Sequence, residues 1–435
     1  MHLNRISPNQ PHAARRRWPW LAAAPLTACL AVAYPAAAAT GGPAASAATG
    51  PVNCAPPDVK QIPCYRPQAY QVAYGVAPLL RRGIDGSGET VIVPELAQTP
   101  TSHGGPTDIR QDLAAFDRTF GLPAAKLQVV NTIAGSATPY LANDEEVTDT
   151  EMVHAIAPGA TLSVVLVPAD ATTSSANFAA ALTKVIQAGV ARHAAVISIS
   201  ASVGEHFLTS VEVARMHTAL EQARAQHVTV VAASGDAGAI SDDGPPVQVS
   251  MPASDPLVLG VGGTDLDASP AGAYQGEMAW NGGDDASGGG YSSLFPRPSY
   301  QDGLTRAGAT RGVPDVAANA DSDTAMALEY SDGEFRSAPG TSASTPLWAG
   351  VIALADQEAG QHLGFVDPAI YQIAQGPAHQ QAFHDVVTGD NSVLWPTGLF
   401  VGHNAGPGWD PVTGWGSPNA QYLVPLLANA ARSGT

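Results

Sequence analysis

The sequence predicts an α/β protein in which a parallel central sheet is flanked by helices on both faces. Apolar runs rich in β-branched residues alternate with stretches of helical periodicity, which is typical of strand–helix–strand units. The apolar runs are short and nearly continuous, as in strands that are buried on both faces. We therefore expect strands at 89–96, 127–131, 161–167, 194–200, 227–234 and 256–263, and helices at 107–119, 144–156, 173–189 and 208–226.

The composition disfavours several classes of protein. The chain has 435 residues, of which 45% are hydrophobic, too apolar for a disordered protein and enough for one large domain or two to three smaller ones. Asp and Glu (38) outnumber Lys and Arg (20), so the net charge is −18. A surface this acidic disfavours binding to nucleic acid or to an anionic membrane.

The first 39 residues have the three parts of a secretory signal peptide. Three arginines at 15–17 precede an apolar run over 18–34, and small residues at 35–39 offer a cleavage site. We therefore expect a secreted protein with a signal peptide over 1–39, a linker over 40–69 and a folded domain over 70–435. Two alternatives remain. The run could anchor the chain in a membrane, although it is shorter than about 20 residues, and residues 26–29 (LTAC) resemble a lipobox that would leave a lipidated Cys29.

Cleavage near Ala39 leaves two cysteines, Cys54 and Cys64. A close pair of cysteines in an exported chain is most simply a disulfide, which here would staple a Pro-rich loop. The alternative, a metal site, lacks further ligands nearby.

Between 264 and 340 the chain is rich in Gly, Pro and Asp and shows little periodicity. Long irregular stretches inside a compact domain usually bind ions or carry function. Ligands of parallel sheets bind at the carboxyl ends of the strands, so these loops are candidates for a functional site.

A candidate nucleophile precedes the apolar segment 343–357. Ser342 follows Gly340 and Thr341 at the expected start of a helix that contains Pro346. Backbone N–H groups and the positive end of the helix dipole are exposed there, which suits a serine whose attack creates an oxyanion. The alternative is an ordinary N-cap serine.

This segment resembles the GTSxxxP signature shared by subtilisins and sedolisins, two groups of serine peptidases with one parallel-sheet fold. A subtilisin also needs an Asp and a His. Glu95 stands where that Asp would be, His103 does not begin a periodic helix, and His154 lies in a run typical of packing. The subtilisin pattern therefore fits poorly.

The sedolisin pattern fits better. Its members carry a Glu and an Asp four residues apart on a helix, matched here by Glu145 and Asp149, and this spacing places both carboxyls on one helix face. Two close carboxyls cannot both ionise easily, so they share a proton. The resemblance implies that Glu145 takes the proton of Ser342 and that Asp149 supports it. Glu146 could replace Glu145, and a solvated acidic helix start is the non-catalytic alternative.

The segment VVAASGDAGA (230–239) is similar to the AAGDSG segment of sedolisins, which implies that Asp236 lines an oxyanion hole. A carboxyl donates a hydrogen bond only when it is protonated. The enzyme would then work in acid, or the site would raise the pKa of Asp236 above its usual value of about 3.9. A turn aspartate beside glycines is the alternative.

The segments 383–391 and 405–418 resemble the calcium site of the same family. The resemblance implies one Ca²⁺ bound by two side chains and three backbone carbonyls, namely those of Asp385 and Asp410 and those of Val386, Gly406 and Gly408. Such a set of hard oxygen ligands suits Ca²⁺ better than a transition metal. Asx turns would explain the two aspartates equally well.

These matches occur in order between about 70 and 430. Together they imply a subtilisin-like three-layer fold with long Gly/Pro-rich loops and a C-terminal calcium site. They also imply a secreted, monomeric serine-carboxyl endopeptidase that hydrolyses proteins and peptides at acidic pH. Sedolisins typically carry a large folded propeptide, whereas about 30 residues separate Ala39 from the first matching segment. A catalytically inactive, secreted binding module with the same fold is therefore the alternative.

Overall fold

The apolar, β-branched runs form a central sheet, as the sequence predicts. The computed structural model describes residues 51–54, 63–96, 107–131, 141–142, 144–329 and 333–433. In chain order the strands of the sheet are β1 Thr90–Leu96, β2 Lys126–Asn131, β3 Thr161–Val167, β4 Val196–Ile199, β5 Thr229–Ala233, β6 Leu259–Ala268, β7 Tyr274–Ala279 and β8 Val316–Asn319.

The strands lie in the order β7–β6–β5–β4–β1–β3–β2, and β8 also pairs with β6. Strand β7 is antiparallel to β6, while the other pairs in this sheet are parallel. The carboxyl ends of parallel strands meet at one edge of a sheet. The loops that follow β1, β3, β4 and β5 therefore gather at the same edge.

Helices cover both faces of this sheet because successive strand residues point to opposite sides. Val91 packs in a core with helices α4 and α7, whereas its neighbour Ile92 packs in a second core with α5 and α6. The helices are α1 Pro67–Ala73, α2 Ala77–Arg81, α3 Ile109–Phe120, α4 Asp144–Ile156, α5 Ser175–Ala191, α6 Ser210–Ala225, α7 Thr341–Ala359, α8 Asp367–Ala374, α9 His379–Ala382 and α10 Ala420–Ser433. The three-layer architecture is thus confirmed.

The Gly/Pro-rich region after 264 is more regular than predicted. It supplies β7 and β8, whose sequences YQGEMA and VAAN lack a run of β-branched residues. Pairing with β6 gives both segments a partner for their backbone groups, which outweighs weak local propensity. Short strands lie at Val52–Asn53, Pro63–Cys64, Thr107–Asp108, Leu141–Ala142, Val203–Gly204, Ile240–Ser241, Gly244–Val247, Ser250–Met251, Gly290–Pro296, Thr310–Val313, Ala327–Glu329, Phe335–Ser337, Phe383–His384, Val393–Trp395, Gly398–Phe400 and Ser417–Pro418, and 3₁₀ turns at Glu205–Phe207, Ser299–Gln301 and Ser322–Thr324.

The linker expected over 40–69 ends earlier in the structure. Tyr65 exchanges backbone hydrogen bonds with Ala325 and Ala327, each 2.9 Å long, and α1 begins at Pro67. The last residues of that segment therefore belong to the folded unit.

The predicted disulfide is confirmed, because Cys54 and Cys64 are bonded, buried and 5.9 Å apart at their Cα atoms. The predicted signal peptide and Cys29 lie outside the described residues.

Candidate active site

The four residues predicted to act together meet at the carboxyl edge of the central sheet. Glu145 and Asp149 lie in the first two turns of α4, and Ser342 is the second residue of α7. Asp236 follows β5, three residues after its last residue Ala233. These four side chains contact one another or share neighbouring residues, so they form one site.

The hydroxyl of Ser342 is hydrogen-bonded to the carboxyl group of Glu145. Its Oγ also lies 3.4 Å from the backbone oxygen of Ser200, the residue that follows β4. Ser342 is partly exposed, whereas its neighbours Thr341 and Ala343 are buried. The serine is therefore held by an acid and remains open to the cleft.

Proline in the first turns of α7 changes how the backbone of Ser342 is bonded. Pro346 has no N–H to donate to the carbonyl of Ser342 four residues earlier. The hydroxyl of Ser200 replaces that donor, with its Oγ 3.2 Å from the Ser342 oxygen. Ser342 is thus tied to the end of β4.

Ser200 also contacts the acid pair, because its Oγ lies 2.5 Å from Oδ1 of Asp149. A hydroxyl has one proton and cannot donate fully to both Asp149 and the Ser342 carbonyl. The contact with Asp149 is the shorter of the two, and a hydroxyl that donates to a carboxylate lowers the pKa of that acid. Ser200 therefore opposes the rise in the pKa of Asp149 that burial causes.

Burial raises the pKa of both acids of the pair. Asp149 is 2% exposed, and desolvation followed by the charge of Glu145 raises its pKa well above the usual value. Glu145 borders the cleft and keeps contact with solvent. The surrounding protein nevertheless displaces water from its carboxyl group and raises its pKa to about 8, while the hydrogen bond from Ser342 opposes this shift. Two interacting carboxyls lose their protons in separate steps, so the pair holds one proton over a wide range of pH.

The other acids and histidines considered from the sequence have different surroundings. Oε1 of Glu146 accepts the backbone N–H of Leu96 at 2.9 Å, which links α4 to the end of β1. Glu95 is buried, and desolvation raises its pKa to about 9. His154 is buried with Nε2 2.9 Å from the Pro123 carbonyl and 2.8 Å from Asp117, as expected of a packed residue. His103 lies outside the described residues.

Asp236 lies against the N-terminus of α7. Its Oδ1 accepts hydrogen bonds from the backbone N–H and the hydroxyl of Thr341 at 2.8 and 2.7 Å. Gly340 has φ +87°, and a Cβ there would lie 2.5 Å from Oδ2 of Asp236, so only glycine permits this approach. Desolvation, together with the nearby charge of Asp242, raises the pKa of Asp236 to about 6. This acid is therefore protonated in mildly acidic solution.

An apolar cavity of about 280 Å³ opens beside the acid pair. Glu145, Asp149 and Ser200 form one wall. The remaining wall is largely apolar and comes from β1, β3, β4, α5 and the loop after β3, including Leu96, Val167, Phe178, Leu182 and Ile199. The cavity thus offers an apolar surface next to Glu145 and Asp149.

The five residues predicted to bind calcium lie close together in the C-terminal loops. The backbone N–H groups of Gly406 and Gly408 donate to Asp410 and Asp385 at 2.9 and 3.0 Å, and Thr413 Oγ1 lies 3.5 Å from the Val386 oxygen and 3.2 Å from Asp410 Oδ2. Oδ1 of Asp385 is buried without a hydrogen-bond partner among the described residues, as expected for an oxygen that ligates an ion. Nowhere in the described part of the chain do three or more His, Cys, Asp or Glu side chains form a metal-binding group. An ion here would therefore need the backbone carbonyls as well.

Sequence reasoning missed Ser200 and Asp242 as parts of the site. The backbone N–H of Asp236 donates to Asp242 Oδ1 at 3.0 Å, and Ser202 donates to Oδ2 of the same carboxylate at 3.0 Å. Ser200 could have been found from its place at the carboxyl end of a buried strand. No sequence pattern marks Asp242 as part of the site, because its contact with the Asp236 N–H depends on the conformation of the turn after Asp236.

Comparisons with known proteins identify relatives of this chain. The profile of the Subtilase family matches residues 129–371. The chain is 36% identical to kumamolisin of Bacillus sp. (strain MN-32) over 81% of its length and 62% of that protein, and 32% identical to sedolisin of Pseudomonas sp. (strain 101) over 72% of its length and 54% of that protein. The chain thus spans little more than half the length of these relatives.

A solved structure described as Pseudomonas sedolisin, a serine-carboxyl proteinase complexed with two molecules of pseudo-iodotyrostatin, also aligns with this fold. It is 26% identical and superposes with a TM-score of 0.70 over 85% of this chain and 99% of that one. The chain therefore belongs to the subtilase family, and its relatives place it among the sedolisins.

Proposed function

We propose that this chain is a secreted, monomeric serine-carboxyl endopeptidase that cleaves proteins and peptides at acidic pH. The observation that carries the proposal is the hydrogen bond between Ser342 and Glu145, in a site where loss of water also raises the pKa of Asp149 and Asp236. In this mechanism Ser342 attacks the peptide carbonyl. Glu145 takes its proton and later delivers that proton to the leaving amine.

The acid pair supplies a base in acidic solution because it shares one proton. Asp149 is more deeply buried than Glu145, so Asp149 keeps the shared proton and the negative charge of the pair lies on Glu145, which contacts Ser342. We assign the pKa of about 8 for Glu145 to loss of the second proton from the pair. Below that pH the pair therefore holds one proton and carries one negative charge. At still lower pH it takes up a second proton and becomes neutral.

Asp236 stabilises the oxyanion when it is protonated. Its Oδ1 is saturated by Thr341, which leaves Oδ2 to carry the proton toward the oxygen that becomes negative. A raised pKa of about 6 keeps this proton in place in acid and releases it toward neutral pH. Activity at acidic pH follows from this one group.

The apolar cavity beside Glu145 and Ser200 supports a peptide substrate with an apolar side chain near the cleaved bond. Burying such a side chain contributes about 1.5–3 kcal/mol. That energy would hold the peptide over Ser342.

Hydrolysis of a denatured protein between pH 2.5 and 7.5 tests the proposed function. We expect cleavage in the acidic part of this range that falls as the pH rises through about 6, because Asp236 then loses its proton. Absence of cleavage at every pH would contradict the proposal and favour the inactive binding module.

Secretion is part of the proposal and depends on the signal peptide predicted over 1–39. Among the residues that the structure describes, no helix is both long and apolar enough to cross a membrane. N-terminal sequencing of the exported protein should give a start after Ala39. A lipid on Cys29 would instead indicate an anchored form.

We also propose one Ca²⁺ bound by the side chains of Asp385 and Asp410 and the carbonyls of Val386, Gly406 and Gly408. The ion would supply the partner that buried Asp385 Oδ1 lacks among the described residues and would join the two loops that carry its ligands. Its role here is structural. Nothing places it in contact with Ser342.

Removal of calcium should therefore lower the melting temperature. A ligand present at 100 times its Kd stabilises a protein by about 2.7 kcal/mol, so we expect a fall of several degrees on adding a chelator. Asp410→Asn should abolish this difference, whereas Asp390→Asn, a nearby aspartate outside the proposed ligand set, should keep it. Equal melting temperatures with and without calcium in the unaltered protein would contradict the ion site.

A further inference from the structure

A hairpin near the C-terminus exposes an apolar face beside the candidate active site. It consists of the strands Val393–Trp395 and Gly398–Phe400. Its inner face packs against the protein, since Val393 and Phe400 pair across the strands and pack with Ala237 and Ile240. Its outer face carries the directly paired Leu394 and Leu399, which are 61% and 65% exposed, and Val401, 72% exposed, follows. A hairpin with one solvated face normally has polar residues there, so the exposed apolar face needs an explanation.

The position of this hairpin follows from the sheet order. The hairpin packs on residues 237–240, which come directly after Asp236, and Leu394 N–H donates to the Gly283 carbonyl at 2.8 Å. Asp236 follows β5, whereas the apolar cavity lies at the ends of β4, β1 and β3. Along this edge the cavity and the hairpin therefore lie on opposite sides of Ser342.

The surroundings of the hairpin are acidic. The segments 236–248, 274–292 and 385–405 contain no Lys or Arg and several exposed aspartates, among them Asp243 and Asp284, although the Arg306 guanidinium contacts the Asn404 carbonyl at 3.0 Å. A second copy of this chain, with the same carboxylates and a net charge of −18, would be repelled from this surface. A segment with apolar and basic residues is complementary to it.

We propose that this exposed hairpin face binds the part of the substrate polypeptide that runs away from the apolar cavity, with preference for apolar residues accompanied by Lys or Arg. The inference rests on the proposed function. A peptide with one side chain in the cavity and its cleaved bond at Ser342 continues past Asp236 toward the hairpin. The two surfaces then select residues on opposite sides of the cleaved bond.

Extended peptides test this surface. One fluorogenic core peptide is lengthened by about six residues, or roughly 20 Å, at either end, with Leu/Val/Lys or with Gly/Ser. We expect the Leu/Val/Lys extension to raise kcat/KM about tenfold at one end only, corresponding to about 1.4 kcal/mol. The double variant L394S/L399S should lose this gain and hydrolyse the core peptide as before. Val211→Ser, a matched change at a 67% exposed residue on α6, should keep the gain.

A binding measurement separates this inference from the proposed function. The labelled Leu/Val/Lys peptide is titrated into the Ser342→Ala protein, with and without L394S/L399S, and fluorescence anisotropy is read. Weaker binding caused by the double change supports the surface even if no peptide is hydrolysed. Equal binding, or equal kcat/KM for the two kinds of extension, overturns it. A dimer in sedimentation experiments that L394S/L399S converts to a monomer, without any peptide effect, would also overturn it and assign the face to self-association.

Discussion

Ser342→Ala should lower peptide hydrolysis about 10³- to 10⁴-fold without unfolding the protein. Alanine removes the only group of this residue that can attack a carbonyl, and it leaves α7 with a good helix former. Ser342 is partly exposed, so water can replace its hydrogen bond to Glu145 and its long contact of 3.4 Å with the Ser200 oxygen, and little stability is lost. Steady-state kinetics with a peptide substrate and a thermal melt of the same sample check both parts.

Ser344, two residues along the same helix, is the matched control. Its side chain is buried and donates to the Gly262 carbonyl at 2.9 Å. Ser344→Ala should therefore lower the free energy of unfolding by about 1 kcal/mol and keep most of the activity. If Ser342→Ala kept its turnover, or if both variants lost activity only in proportion to unfolding, the assigned nucleophile would be wrong.

Glu145→Gln should have a comparable effect on kcat, a loss of about 10³-fold or more, because an amide cannot take the proton of Ser342. Glu146→Gln is its neighbour and its control. Glu146 accepts the Leu96 N–H, a bond that the glutamine oxygen can also accept. We expect a loss of at most about tenfold in that variant, with the pKa of the acid pair lowered, because the charge of Glu146 raises the pKa of both Glu145 and Asp149.

The comparison of these two variants decides between the two glutamates that the sequence left open. It is read from kcat at the pH of highest activity, with circular dichroism as the check on folding. A larger loss in Glu146→Gln than in Glu145→Gln would show that the base is Glu146. It would contradict the role assigned to the contact between Glu145 and Ser342.

Local sequence signals predicted most of the fold. The six β-branched runs all became strands of one sheet, because burial on both faces and β propensity favour the same structure. The two strands at Tyr274–Ala279 and Val316–Asn319 were missed, since Gly, Ala and Asn give no such signal and the second of them pairs with β6 over a long sequence separation. The start of the folded unit was also placed too late, because the bonds of Tyr65 to Ala325 and Ala327 join segments far apart in the sequence.

The site was predictable only in parts. Ser342, Glu145, Asp149 and Asp236 each follow a recognisable local pattern, and the structure brings them together. The place of Ser200 was not predictable, because it contacts both Asp149 and the carbonyl that Pro346 leaves without its helical donor. Such three-way contacts exist only once the sheet has aligned the end of β4 with the start of α7.

The central claim is that Asp236 acts as a protonated donor, and the pH profile of kcat/KM for Asp236→Asn tests it most directly. Asparagine keeps the oxygen that accepts from Thr341 and replaces the carboxylic proton by an amide donor that never ionises. In the unaltered protein we predict a fall in activity near pH 6, where Asp236 loses its proton. In Asp236→Asn the fall near pH 6 should be absent, because the amide does not ionise. A profile that still falls near pH 6 in the asparagine variant would contradict the account.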